Sequence, residues 1–170
     1  MSEFKQIVLL EQWLREHPGG YLHPSLHIVH DESQGAHWRS DANIEPGTKL
    51  ITVPHSLALS YLNALVDDEY PVFKQRRHDL AIENIGFFYL MLQYVHRDRS
   101  FWKPYLDSLP GPNEMNDTPL WFDDPEDLAW LADTDVLYSM EQRRAIYEQY
   151  YQSGIAVLQQ AGVDTAPLTW

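Results

Sequence analysis

Residues 33–54, SQGAHWRSDANIEPGTKLITVP, contain the pattern that decides the fold class of this 170-residue chain. The stretch has a polar turn with an isolated glycine, then a second glycine, then an apolar run that ends at a proline. An earlier run, LHIVH at 26–30, is also rich in β-branched residues, so two or three short strands are predicted between residues 21 and 54. The two glycines fit either plain turns beside a strand or a loop whose backbone contacts a cofactor.

Helical periodicity lies on both sides of these strands. A long helix over residues 79–95 is apolar almost all round, so we expect it to be buried on most sides. Ser2 is a candidate N-cap for the first helix, and Ser139 with Gln142 has capping-box spacing for the last. The predicted helices cover residues 2–17, 56–66, 79–95, part of 100–110, 123–131 and 139–162. Strands early and helices late predict an α+β fold, with a small β-sheet packed against helices.

Composition excludes several classes of function. The chain has 12 Lys and Arg against 25 Asp and Glu, and this acidic balance argues against nucleic acid as a partner. It has no cysteine, which excludes disulfides, thiolate zinc sites and a cysteine nucleophile. Neither a signal peptide nor a membrane-spanning stretch is evident, so we expect no membrane contact and an intracellular location, cytoplasmic or nuclear.

Four blocks of sequence resemble, in order, the SET-domain protein-lysine methyltransferases of the Rubisco and ribosomal-protein class. The segment PHSLALSYLNAL, residues 54–65, is most similar to the fungal branch of that class. The four blocks are residues 19–30, residues 33–60, residues 100–110 with 118–122, and residues 131–137.

The resemblance implies an incomplete SET fold. Residues 1–75 correspond to the N-terminal part of the SET β-fold with a leading helix, and residues 76–170 to the helical insert. The family's Asn-His pair and catalytic tyrosine belong to a C-terminal part with no counterpart in this sequence. We therefore assign no catalytic residue and expect a truncated chain that does not transfer methyl groups alone, because half a site cannot position the reactants.

The same resemblance assigns a cofactor segment, Gln34, Gly35, Ala36 and His37. In the family, the four positions of this segment hold Glu or a similar residue, then Gly, then any residue, then Gly. The backbone of the segment binds S-adenosylmethionine. His37 stands at the second glycine position, where a side chain occupies space that a cofactor needs. We expect weak binding of S-adenosylmethionine or none.

Other constellations favour structural roles. His23, His27 and His30 do not share one face of a strand, and no metal site is predicted. The carboxylates from Asp123 to Asp135 fit helix caps and a solvated surface. Glu83 is a candidate general acid or base only if it is buried. An aromatic set fits core packing better than a ligand pocket; it consists of Trp102, Tyr105, Trp121, Phe122 and Trp130.

Three functions stay open at this point. The first is the N-terminal portion of a methyltransferase that acts on a protein substrate. The second is a non-catalytic module that binds a partner protein, and the third is a protein of secondary metabolism that binds or cyclises a small molecule. Because so small a sheet leaves unpaired edges, we also expect a homodimer or a bound partner.

Overall fold

The computed structural model of the protein describes residues 3–31, 33, 35–109 and 124–169. Its architecture is α+β, as the sequence predicts. The helices are α1 (Glu3–Glu16), α2 (Tyr61–Ala64), α3 (Val72–Gln75), α4 (Ile82–Val95), α5 (Lys103–Leu106), α6 (Pro125–Trp130) and α7 (Asp135–Gln160), with a 3₁₀ turn at His55–Leu57. The strands are β1 (Tyr21–Leu22), β2 (Leu26–Asp31), β3 (Gly35–Ser40) and β4 (Ile51–Thr52).

The chain forms two compact units. Unit 1 comprises residues 1–59 and 96–109, and unit 2 comprises residues 60–95 and 110–170. Unit 1 contains all four strands, α1 and α5, whereas unit 2 is helical where it is described.

Unit 1 contains two antiparallel sheets of two strands each, β1 with β4 and β2 with β3. Helix α1 stabilises both sheets through hydrogen bonds to their backbone. Arg15 donates to the carbonyls of Leu22 and Leu26 at 2.9 and 3.2 Å, and Glu11 accepts from the Ile28 amide at 2.6 Å. Side chains of α1 thus satisfy polar backbone groups that two-stranded sheets leave unpaired.

The core of unit 1 joins α1, the strands and α5. Trp102 is 8% exposed, and its indole nitrogen donates to the carbonyl of Leu57 at 3.2 Å, so the ring is fixed by packing and by a hydrogen bond together. The buried apolar residues of this unit include Ile7, Leu22, Leu26, Leu57, Trp102 and Leu106.

In unit 2, α4 packs against α7. The predicted position of α4 is confirmed, and most of its residues are buried or half-buried, although Ile82 and Phe87 are 58% and 44% exposed. Buried residues of unit 2 include Phe73, Ile85, Phe88, Tyr89, Leu158 and Leu168. Among the described residues, no helix is both long enough and apolar enough to cross a membrane.

Helix α7 begins earlier than the capping-box pattern predicts. Its N-cap is Thr134, whose hydroxyl accepts from the Leu137 amide at 3.3 Å, and Ser139 lies within the helix. Helix α6 begins as its acidic N-terminus predicts, since the Asp124 carboxylate accepts from the Glu126 amide at 2.9 Å. Asp124 is thus a helix cap and Asp135 lies in the first turn of α7, so both carboxylates have structural roles, while Asp123 lies outside the described residues.

Candidate functional site

The segment that the resemblance assigns to the cofactor lies at the tip of the β2–β3 hairpin. The register pairs Asp31 with Gly35 at the tip and Leu26 with Ser40 at the other end. The tip is closed by Asp31, whose Oδ1 accepts from both the amide and the hydroxyl of Ser33, at 2.9 and 2.8 Å. Gln34 lies outside the described residues, so the assigned segment is described from Gly35 onward.

Gly35 begins β3 in the left-handed region, with φ of +64°. A residue with a Cβ is strained at this φ, which gives the glycine a structural reason. No described atom of the protein lies within 4 Å of the position where a Cβ at Gly35 would stand. The backbone at the hairpin tip is therefore open on that side, as it must be for a ligand to approach it closely.

His37 lies on the same strand face as Gly35, and its ring is held close to the tip. Nδ1 is 3.2 Å from the carbonyl oxygen of Gly35, and Nε2 is 3.8 Å from Oδ2 of Asp31. The side chain of His37 is 30% exposed. An imidazole ring thus stands beside the open backbone of Gly35, where the resemblance places a second glycine.

The opposite face of the hairpin borders an apolar cavity of about 410 Å³ within unit 1. Trp38 and Ile28, a cross-strand pair, line it together with Trp13 and Leu57. His37 pairs with Val29 and belongs to the other face of the strand. The hairpin therefore has an apolar face toward the cavity and a polar edge formed by Asp31 and His37.

The structure does not bring the three histidines together as metal ligands. His23 Nδ1 accepts from the Ser25 amide at 3.2 Å, and His27 Nδ1 lies 3.4 Å from Oδ2 of Asp41. In the part of the chain that the structure describes, no group of three or more His, Cys, Asp or Glu side chains could hold a metal ion.

The structure decides two further sequence hypotheses. Glu83 is exposed on α4, so the condition attached to it as a general acid or base is not met. Of the aromatic set, Trp102 is buried in the core of unit 1, Tyr105 lines the 410 Å³ cavity of that unit and is 37% exposed, and Trp130 is 86% exposed. The other two members, Trp121 and Phe122, lie outside the described residues.

Sequence reasoning missed a buried polar cluster in unit 2. Tyr89 is fully buried and donates to Oδ2 of Asp67 at 2.6 Å, and Gln93 donates to the same oxygen at 3.4 Å. Burial, and next the hydrogen bond to the Asp67 carboxylate, raise the pKa of Tyr89 far above its usual value of 10.0. The phenol stays protonated as a donor, which suits a structural role. The sequence does contain one indication of this cluster, the i, i+4 spacing of Tyr89 and Gln93 on an otherwise apolar helix.

Comparison with known proteins gives a distant similarity. No protein-family model matches the chain. Over 113 residues, 66% of the chain, it is 28% identical to the actin-histidine N-methyltransferase of Dasypus novemcinctus. The human and mouse proteins of the same name are each 26% identical over the same length. The matched segment spans only 18% of these relatives' length. The chain is therefore distantly similar to one part of a protein methyltransferase.

Proposed function

We propose that the chain is the N-terminal, cofactor-contacting part of a SET-type protein N-methyltransferase of the fungal branch. The observation that carries this proposal is the open backbone at Gly35, a left-handed glycine with free space beside it at the head of β3. The four blocks of resemblance and the similarity to actin-histidine N-methyltransferases both support methyl transfer as the chemistry.

The residues at the hairpin tip fit S-adenosylmethionine in part. Gly35 and Ala36 offer backbone with little side-chain bulk, and the Cβ of any other residue at position 35 would project into the open space. The ring of His37 lies close to the Gly35 carbonyl and reduces the space open to a cofactor on the same face of the strand. When bound, S-adenosylmethionine supplies an activated methyl group. The role of this chain is to hold the cofactor by backbone contacts along the start of β3.

The proposed methyl acceptor is a side-chain nitrogen of a protein substrate. The resemblance to lysine methyltransferases favours a lysine, whereas the name of the actin-histidine N-methyltransferases specifies a histidine of actin. Either nitrogen must be unprotonated to attack a methyl group. The proposal assigns cofactor contact to this chain and assigns no catalytic residue.

Binding of S-adenosylmethionine tests the proposal directly. In two-dimensional NMR titrations of the whole chain, the amides of residues 35–40 should shift saturably, with a dissociation constant of about 0.1 mM or weaker because the His37 ring occupies space beside Gly35. His37→Gly should lower the dissociation constant by freeing the side of the strand. A low-micromolar constant for the unmodified chain would overturn the expectation of weak binding.

Two asparagine variants separate cofactor contact from backbone strain. Asparagine tolerates the left-handed region, so Gly35→Asn should fold but fill the open space and abolish the shifts. Gly47 is the matched control, since it has φ of +84° and no described atom within 4 Å of its would-be Cβ. Gly47→Asn should leave binding unchanged. Equal effects of Gly35→Asn and Gly47→Asn on binding would contradict the proposal. So would an absence of shifts in His37→Gly at 10 mM cofactor, a concentration about a hundredfold above a dissociation constant of 0.1 mM.

Exposed apolar side chains in unit 1 favour a second candidate, a module that binds a partner protein or a second copy. Trp38, Leu50 and Val53 are 44%, 41% and 57% exposed on or beside the short strands. Sedimentation velocity over a hundredfold range of concentration should then show self-association, and Val53→Lys should reduce it. A monomer at every concentration excludes the second-copy form of this candidate.

A further inference from the structure

Unit 2 contains an apolar cavity of about 360 Å³ that is lined by α4 and α7. Two pairs of rings form much of its wall. Phe87 meets Tyr147 edge to face at 5.8 Å between ring centroids, and Phe88 stacks on Tyr151 at 6.1 Å and 26°. Flat apolar rings on facing helices suit a planar aromatic guest.

The C-terminal segment forms another part of the wall. Tyr151 donates through its hydroxyl to the carbonyl of Leu168 at 2.6 Å, and the Leu168 side chain is only 2% exposed. These two contacts hold Leu168, the residue before Thr169, and Thr169 lines the cavity. The cavity is thus built by residues that other interactions already hold in place.

One polar side chain, Asn84 of α4, lines the cavity and has an unused acceptor. Asn84 is 3% exposed, and its Nδ2 donates to the Ser153 hydroxyl at 3.2 Å. Among the described residues its Oδ1 has no hydrogen-bond partner. Leaving a buried carbonyl oxygen unpaired is costly and rare in native proteins.

The hydrogen bonds of Ser153 fix which end of the amide is unpaired. The Ser153 hydroxyl donates its single hydrogen to the carbonyl of Tyr150 at 3.0 Å, so toward Asn84 it can only accept. With the hydroxyl hydrogen assigned to the Tyr150 carbonyl, the nitrogen of the amide faces Ser153. The atom left over is an acceptor and needs a donor.

We propose that this cavity binds a small, uncharged aromatic molecule whose N–H or O–H group donates to Oδ1 of Asn84. The volume is in the range of small-molecule sites, which are mostly apolar with a few polar groups that orient the ligand. None of the described residues that line the cavity carries a charge, which favours a neutral guest. The site is separate from the hairpin of unit 1, so this inference does not depend on cofactor binding.

A pair of probes tests the donor requirement on the unmodified chain. Indole has a ring N–H, and 1-methylindole has nearly the same ring without the donor. By ligand-observed NMR titration, indole should bind saturably with a dissociation constant of about 1 mM or tighter, and 1-methylindole about tenfold more weakly. Equal affinities, or no saturable binding of indole, overturn the proposal.

Three variants locate the binding. In Asn84→Leu the preference for indole should disappear; this variant should fold, because Ser153 keeps its bond to Tyr150. Met91→Trp should fill the cavity and abolish binding of both probes. Glu83→Gln, at the exposed neighbour of Asn84, is the matched control and should change neither constant. A preference that persists in Asn84→Leu, or binding that persists in Met91→Trp, contradicts the assignment.

Discussion

Gly35 at the hairpin tip and Gly154 in α7 are glycines for opposite reasons. Gly35 has a positive φ and no described atom within 4 Å of its would-be Cβ. Gly154 is a buried helical residue, and a Cβ there would overlap the ring of Phe88. Position 35 is glycine because its backbone is left-handed, and the space beside it is open. Position 154 is glycine because α4 and α7 approach each other closely there. The backbone at the tip of unit 1 therefore has open space beside it, whereas the contact between Gly154 and Phe88 leaves no room for a larger side chain at position 154.

The largest expected effect is at the helix pair. Phe88 is 2% exposed, so Phe88→Ala should lower the free energy of unfolding by about 3–5 kcal/mol through lost burial and an unfilled cavity. Phe87, its neighbour on α4, is 44% exposed and meets the ring of Tyr147 edge to face. Phe87→Ala should cost about 1 kcal/mol. Chemical denaturation measures both, and equal losses would contradict the packing described for α4.

The buried cluster around Tyr89 gives the next effect. Tyr89→Phe removes the hydrogen bond to the Asp67 carboxylate and should cost about 1.5–3 kcal/mol at pH 7. Because the folded protein raises the pKa of Tyr89 above its unfolded value near 10.0, this stabilisation is fully present below pH 10 and is lost as pH rises further.

Denaturant midpoints between pH 7 and pH 11 check the sign of this effect. The midpoint of the unmodified chain should fall above pH 10, and the midpoint of Tyr89→Phe should fall less. Parallel curves for the two proteins would show that the Tyr89 phenol is not protected from ionisation in the folded state.

The local sequence pattern predicted the helices and strands well where interactions between neighbouring residues determine them. The apolar run at 79–95 placed α4, and the polar turn at 33–37 placed a strand boundary with a left-handed glycine. The start of α7 was misplaced because Thr134 and Ser139 are both good cap residues. The backbone turn just before Thr134, with Asp133 at φ of 58°, decides between them.

Burial could not be predicted from composition, because it depends on contacts between distant segments. Trp102 and Trp130 have similar local sequence character, yet Trp102 finds the Leu57 carbonyl across 45 positions and Trp130 stays exposed. For the candidate site, the sequence identified Gly35 and His37. The open space beside Gly35 and the approach of His37 to Asp31 follow only from the folded hairpin.

Alanine substitution at the two glycines tests their different roles. Gly154→Ala should cost about 1–3 kcal/mol by overpacking against Phe88, and the cost should shrink in a Phe88→Leu background. Gly35→Ala should cost about 1–2 kcal/mol from the left-handed backbone alone and should not respond to Phe88→Leu. Thermal or denaturant unfolding of the double variants measures the coupling. Coupling at Gly35, or its absence at Gly154, would contradict the contrast.

The smallest expected effect concerns the polar edge of the hairpin, where Asp31 both closes the turn and faces His37. Asp31→Asn keeps an oxygen to accept from Ser33 but removes the charge opposite the imidazole. The loss should be about 0.5 kcal/mol or less in denaturant unfolding, and smaller in high salt, because both side chains are partly exposed. The matched control is Asp41→Asn, which removes the charge beside His27. This pair is more exposed to solvent, since the side chain of Asp41 is 76% exposed and that of Asp31 is 49% exposed. A larger salt-dependent loss in the control would place the stronger His–Asp attraction at the far end of the hairpin, away from the Gly35 backbone.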